Sequence, residues 1–166
     1  MSETALSHDT PPPGYRANAG VMLIDRRGLV FAGQRADRRD PAWQMPQGGI
    51  DKDELPVAAA LRELREETGV RTGLVQVIGE TPHWLVYDLP AEAAARRWRG
   101  RYRGQAQKWV AARFLGEDGD VDLRQDHVEF DDWCWMRADE LEALVIGFKR
   151  PIYRAVFDAF AAHLAR

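Results

Sequence analysis

Three glutamates crowd five positions of the chain: Glu63, Glu66 and Glu67, inside the run GGIDKDELPVAAALRELREETGV that spans residues 48–70. In a helix, side chains three and four apart share a face, so the three carboxylates point the same way within about one turn. Like charges at that spacing repel by roughly a few tenths of a kcal/mol per pair in water. Two environments offset the repulsion. One is solvent together with Arg62 and Arg65, since acidic helical faces are commonly just solvated. The other is a divalent cation. Hard carboxylate oxygens suit Mg²⁺ or Mn²⁺, ions that bridge protein carboxylates to substrate phosphates. Helical spacing leaves both readings open.

The elements that would hold these groups are readable around them. Pro56 suits a first helical turn, where its missing N–H costs nothing. Val57, Ala58, Ala60, Leu61 and Leu64 give an apolar side, and Gly69 stands where a left-handed cap is needed, so a helix is expected over residues 55–68. Ahead of it, the loop-like WQMPQGGI (43–50) supplies glycines that let backbone approach a ligand closely. Gln47 can hydrogen-bond a phosphate or a metal-bound water. Trp43 reads as a core residue or as a stacking platform for a base. The charged loop 34–40, with Arg35, is either solvated or a basic lip near a substrate.

Taken together, Gly48, Glu54, Arg62, Glu63, Leu64, Glu66, Glu67, Gly69 and Val70 resemble a complete Nudix box, with every specified position filled. The resemblance implies a Mg²⁺-dependent hydrolase, with Mn²⁺ or Zn²⁺ as substitutes, acting on a nucleoside diphosphate linked to another group. It implies that Glu63, Glu66 and Glu67 are metal ligands, that Glu54 and Arg62 brace loop and helix as an ion pair, and that the Gly48 or Gly49 carbonyl adds a backbone ligand.

The 166 residues, 45% of them hydrophobic, suit one domain with a substantial core. A net charge of −3 gives no whole-molecule attraction to nucleic acid, so RNA would have to meet a local basic patch. Cys134, the single cysteine, cannot form an internal disulfide and reads as a buried structural residue. No apolar run approaches the roughly 20 residues of a membrane span, and a cytoplasmic protein is the simplest expectation. Residues 1–13, Pro-rich and containing His8, read as a disordered lead-in to a domain at 14–166. Strands are expected at 19–24, 29–32, 74–78, 83–89, 108–115 and 133–136, and helices at 137–144 and 151–164, the last burying Ile152, Val156, Phe157 and Phe160. The order suggests an α+β fold, a mixed sheet between helices. Residues 91–109 hold Arg96, Arg97, Arg99, Arg101, Arg103 and Lys108 interleaved with Trp98 and Tyr102. That stretch is either a solvated insertion or a phosphate-pairing, base-stacking surface.

Outside the box, GYRANAGVMLID, WQMPQGGI, WLVYDLP, GQAQKW, EFDDWCWM and FKRPIY are similar, in order, to the bacterial RNA pyrophosphohydrolase branch of the family, also described as dinucleoside polyphosphate hydrolases. The similarity covers about residues 14–160. It implies removal of pyrophosphate from 5′-triphosphorylated RNA, the step that opens mRNA decay. Glu129 would be a further metal ligand or a base, alongside Glu63 and Glu67 as base candidates. Arg16 would meet the 5′ phosphates. Tyr87, Gln105 and Lys108 would border the cleft, Phe148 would stack on a base, and Lys149 and Arg150 would lie near the RNA backbone. The alternatives are a dinucleoside polyphosphate hydrolase and a non-catalytic nucleotide- or RNA-binding module; the intact glutamate set speaks against the second. DNA and membrane partners are not expected, and the chain is read as a monomer or weak oligomer.

Overall fold

A computed structural model describes residues 10–165. His8 and most of the expected lead-in fall outside them. The chain's frame is a parallel pair that no short-range pattern announces. Strand β1 (Tyr15–Ile24) runs beside β7 (Gly104–Phe114) over ten consecutive residues, from Tyr15 opposite Gly104 to Ile24 opposite Arg113. Both strands are buried on two faces, which suits a parallel pair covered by helices.

The rest of the mixed sheet is antiparallel. Strand β2 (Val30–Arg35) returns from β1 and carries β3 (Trp43–Gln44) and β8 (Phe130–Met136). Strand β4 (Gln47–Gly49) pairs with β1. Strands β5 (Val75–Glu80) and β6 (Leu85–Asp88) both pair with β7.

Alternation along the central strands divides the core in two. Ala19, Val21 and Leu23, with Val110, Ala112 and Phe114, face helix α1 (Pro56–Thr68) through Ala59, Ala60 and Leu64. Met22, Ile24, Trp109 and Ala111 face the layer of α3 (Ala138–Leu144) and α4 (Arg150–Ala159) through Leu141, Ile152, Tyr153 and Val156. A short helix, α2 (Ala91–Arg96), and a 3₁₀ turn (Arg97–Gly100) lead from β6 into β7. The α+β arrangement with helices on both faces is as expected from the sequence.

Several bounds differ, each for a physical reason. Strand β1 begins at Tyr15 and not Ala19, and β7 at Gly104 and not Lys108, because the parallel pairing recruits polar residues. Asn18, Gln105 and Gln107 are buried there with partners: Gln107 Nε2 donates to Asn18 Oδ1 at 2.9 Å, and Gln105 Nε2 donates to the Tyr87 hydroxyl at 2.6 Å. The 43–49 stretch is two strands of two and three residues, too short to show a period. On α1, Ala59 is buried and Ala58 is exposed. The last helix stops at Ala159, since Phe160 leaves helical backbone (φ −120°, ψ 24°) and is only half-buried; Ala165 N–H then ties the chain to the Gly28 carbonyl. Cys134 is half-buried rather than fully enclosed.

Candidate active site

Helix α1 starts at Pro56 and ends at Gly69, whose left-handed backbone (φ 74°) lets its N–H close on the Arg65 carbonyl. That cap is the structural role expected for Gly69. One side of α1 buries alanines and Leu64 against the sheet. The edge of that side carries Glu63 and Glu67 toward β4, and Glu66 lies more open, with about half its side chain exposed. The three line one cleft of about 320 Å³ with Glu129 and with Gln125, Asp126 and His127. The spacing argument therefore holds in three dimensions, and Glu129, 62 residues beyond Glu67, joins the same wall.

A single cation braces this wall. Arg62 Nε donates to Glu54 Oε2 at 2.8 Å and Nη2 to Glu54 Oε1 at 2.9 Å and to the Gly49 carbonyl at 2.8 Å; Nη1 donates to Glu63 Oε1 at 2.9 Å and reaches Glu66 Oε2 at 3.2 Å. The expected Glu54–Arg62 pair is present, and it holds Glu54 below the usual carboxylate range. The Gly49 carbonyl is engaged by Arg62, and Gly48 sits opposite Ala19 in the β1–β4 ladder. A Cβ on Gly48 would overlap the Glu63 carboxylate, so that residue must be glycine for Glu63 to lie where it does.

Glu67 and Glu129 have no such partner: among the described residues no cation stands within ion-pair distance of either. Glu67 is 7% exposed and receives the Gln47 N–H at 3.2 Å. Burial pushes its carboxyl well above the ordinary range, and the negative charges of Glu129 and Glu63 push the same way. Glu63 is raised by burial too, with Arg62 opposing. This donor set of hard oxygens, with more negative charge than Arg62 balances, fits a divalent cation. Among the described residues no three acidic, histidine or cysteine groups already stand at ligating geometry. Glu63 and Glu66 are turned to Arg62.

Beside the acidic wall lies a basic and aromatic one. Arg16 Nη1 donates to Gln105 Oε1 at 3.3 Å, Gln105 reaches Tyr87, and the Tyr87 and Phe148 rings lie 5.6 Å apart. Gly49 leaves room for the Arg16 guanidinium, which a Cβ there would strike. Lys149 is 8% exposed and is pulled down to about 8 by burial and by Arg35 and Arg97, while Glu129 and Glu67 pull it back. Lys149 thus feels both walls. Arg35 is held by Asp37 at 2.6 Å, yet its charge still reaches Tyr87 and Lys149.

Other expected contacts lie elsewhere. Lys108 donates to the Pro82 carbonyl at 3.0 Å and sits over the Trp84 ring, its side chain committed to the β5–β6 turn. Trp43 packs against the core and lines a separate hollow with Arg38 and Ile146. The Gln47 side chain accepts from Gln107 at 3.4 Å, and Arg150 caps α3 through the Glu142 and Ala143 carbonyls. Sequence reasoning missed Gln125, Asp126 and His127, which only the fold brings to α1. It named Arg97 and Trp98 within the 91–109 stretch, but no local spacing shows that Trp98 lies against Arg16 or that the charge of Arg97 reaches Tyr87 and Lys149.

The description "NUDIX domain" matches residues 14–156, and the chain belongs to the Nudix family. Within it, the chain is 53% identical over 150 residues to the RNA pyrophosphohydrolase of Roseobacter denitrificans, covering 90% of this chain and 94% of that one. It is 48% identical over 155 residues to the RNA pyrophosphohydrolase of Sphingopyxis alaskensis, covering 93% and 97%. It therefore falls in the bacterial RNA pyrophosphohydrolase branch. Among solved structures, the fold is similar to the Escherichia coli dihydroneopterin triphosphate pyrophosphohydrolase (TM-score 0.68, 18% identity, 89% of this chain and 98% of that one) and to a Caenorhabditis elegans Ap4A hydrolase complex (TM-score 0.65, 20% identity, 89% and 98%).

Proposed function

We propose that this chain is a Mg²⁺-dependent RNA pyrophosphohydrolase that converts 5′-triphosphate RNA ends to 5′-monophosphate ends and so opens mRNA decay, with residues 14–166 acting as one cytoplasmic domain. The observation that carries this reading is the juxtaposition of two walls: Glu63, Glu66, Glu67 and Glu129 on one side, and Arg16, Tyr87, Phe148 and Lys149 on the other. The names borne by relatives at about half identity support it.

Glu63, Glu66, Glu67 and Glu129, with the Gly48 carbonyl, would hold the cation, and Glu63 and Glu66 would exchange Arg62 for it. When bound, the ion neutralises charge on phosphoryl oxygens and acidifies water. The protein's own groups do the rest. Arg16 and Lys149 place positive charge beside the 5′ phosphates, and Phe148 on Tyr87 offers a ring face to the first base. The attacking water forms a bond to phosphorus as its proton passes to one of Glu63, Glu67 or Glu129. The anhydride bond breaks and pyrophosphate leaves with the electron pair. Gln47, through its N–H, fixes the Glu67 carboxylate.

The deciding assay is product analysis with 5′-triphosphorylated RNA, with and without Mg²⁺. Pyrophosphate and 5′-monophosphate RNA are the expected products, in the presence of the metal alone. Faster turnover of diadenosine tetraphosphate at equal concentration would replace this reading with the dinucleotide one.

A further inference from the structure

From α2 the chain passes through Arg97, Trp98, Arg99, Gly100, Arg101, Tyr102 and Arg103 before entering β7, seven residues that contain four arginines and no acid. Arg97, Arg99 and Arg101 are exposed, and among the described residues no carboxylate pairs with them; Arg103 is paired with Asp88 at 3.1 Å and Arg96 faces Glu92 at 3.8 Å. The chain as a whole carries −3, so this is a local reversal of sign.

The backbone here is held in an unusual shape. Trp98 (φ 50°, ψ 24°) and Arg99 (φ 56°, ψ 34°) are both left-handed, and Gly100 continues at φ 72°. Two successive non-glycine residues in that region are strained, and such strain gathers at ligand-contacting segments. The aromatic rings anchor the turn. Trp98 meets Tyr102 edge-on at 5.8 Å, the Arg97 and Arg16 guanidinium groups lie 5.8 and 5.5 Å from the Trp98 ring centre, and Arg101 lies 5.6 Å from that of Tyr102.

We propose that residues 97–103 form a lip that binds single-stranded RNA downstream of the 5′ end, with Arg99 and Arg101 on backbone phosphates and Trp98 and Tyr102 against bases. The proposal rests on the RNA reading of the site. Its argument is continuity. Arg16, placed beside the 5′ phosphates, is the same residue that lies over Trp98, and Arg97 bears electrostatically on Tyr87 and Lys149 in the cleft. A strand whose end sits in the cleft leaves it along this segment. Alternating cations and flat rings match a polymer that alternates phosphates and bases. A dinucleoside polyphosphate has no chain to reach Arg99 or Arg101, so the lip makes the enzyme prefer RNA.

The test uses the full chain and the double variant Arg99→Glu/Arg101→Glu, with circular dichroism to show that it folds. On 5′-triphosphorylated RNA of about ten nucleotides, long enough to cross such a surface, KM should rise about tenfold or more, which two reversed charges make reasonable. On a triphosphorylated dinucleotide, kcat/KM should stay within about twofold. Binding of an RNA with a 5′ hydroxyl, followed by fluorescence anisotropy, should weaken, and its log–log salt slope should shrink by about 1.4, at roughly 0.7 per phosphate lost. Equal losses on the long and short substrates, or unchanged binding of the 5′-hydroxyl RNA, would overturn the lip. The binding measurement needs no hydrolysis, so it reads the lip even if triphosphorylated RNA proves not to be a substrate; conversely, intact pyrophosphate release with unchanged binding removes the lip and leaves the site reading standing.

Discussion

The backbone N–H of Gln47 donates to Glu67 Oε2 at 3.2 Å, joining the strand that enters the site to the most buried acid of the helix that leaves it. The bond matters because Glu67 has no cation of its own among the described residues. A buried carboxylate of raised pKa beside two other acids is poised both to hold a divalent ion and to take a proton.

Replacing Glu67 with Gln keeps an oxygen for the Gln47 N–H and removes the charge. Turnover of 5′-triphosphorylated RNA with Mg²⁺ should fall by roughly 10²–10⁴-fold. The melting temperature should hold or rise, since an uncompensated buried charge is gone. Wild-type turnover in a steady-state assay would remove Glu67 from the chemistry.

Gly48→Ala puts a methyl group into the Glu63 carboxylate. That carboxylate is the end of a flexible side chain, so Glu63 should swing aside with little loss of stability. Mn²⁺ affinity, read by electron paramagnetic resonance, should weaken as Glu63 is displaced. A folded Gly48→Ala chain that binds Mn²⁺ like the wild type would show that Glu63 need not lie where it does.

Arg62→Ala leaves Glu54, Glu63 and Glu66 without their shared partner. Thermal unfolding should report a loss of about 1–3 kcal/mol, the cost of stranding charged hydrogen-bond partners. Part of that loss should return on adding Mg²⁺, because the ion supplies positive charge to the same acids. A melting temperature insensitive to both the substitution and the ion would contradict the bracing role.

Lys149 carries a pH signature. Its folded value, about 8, lies below its ordinary 10.5, so between those limits the unfolded chain binds the extra proton. The penalty for burying the ammonium is fully present below about pH 8 and is relieved as pH rises from 8 toward 10.5. The difference in stability between the wild type and Lys149→Met should follow that course, the variant being more stable at pH 7 and the two converging above 10.5. On the proposed role of Lys149 beside the 5′ phosphates, KM of the wild type should rise as pH passes through 8, and Lys149→Arg should flatten the profile.

Much of the site was legible because its core is local. Glu63, Glu66 and Glu67 share a face through helical spacing alone, Glu54 and Arg62 lie within the same short run, and Gly69 ends the helix as a left-handed residue must. The α+β order followed from apolar runs and breakers. Less legible were the two-residue β3 and three-residue β4, and the polar starts of β1 and β7. There, pairing across the sheet outweighs local preference: Gln107 and Asn18 can be buried because they bond each other, and Gln105 because Tyr87 and Arg16 bond it.

By itself, then, the order of amino acids determined the acidic helix face, its brace and its cap, since each depends on contacts a few residues apart. Tertiary structure alone decided which distant groups complete the site. The parallel register of β1 and β7 brings Arg16 to Gln105 across 89 residues. The turn after β5 draws Lys108 away, packing buries Lys149, and Gln125, Asp126, His127 and Glu129 come to line the cleft with α1. These depend on strand register and on which side chain reaches a partner first, quantities set by the whole sheet and not by any stretch of it.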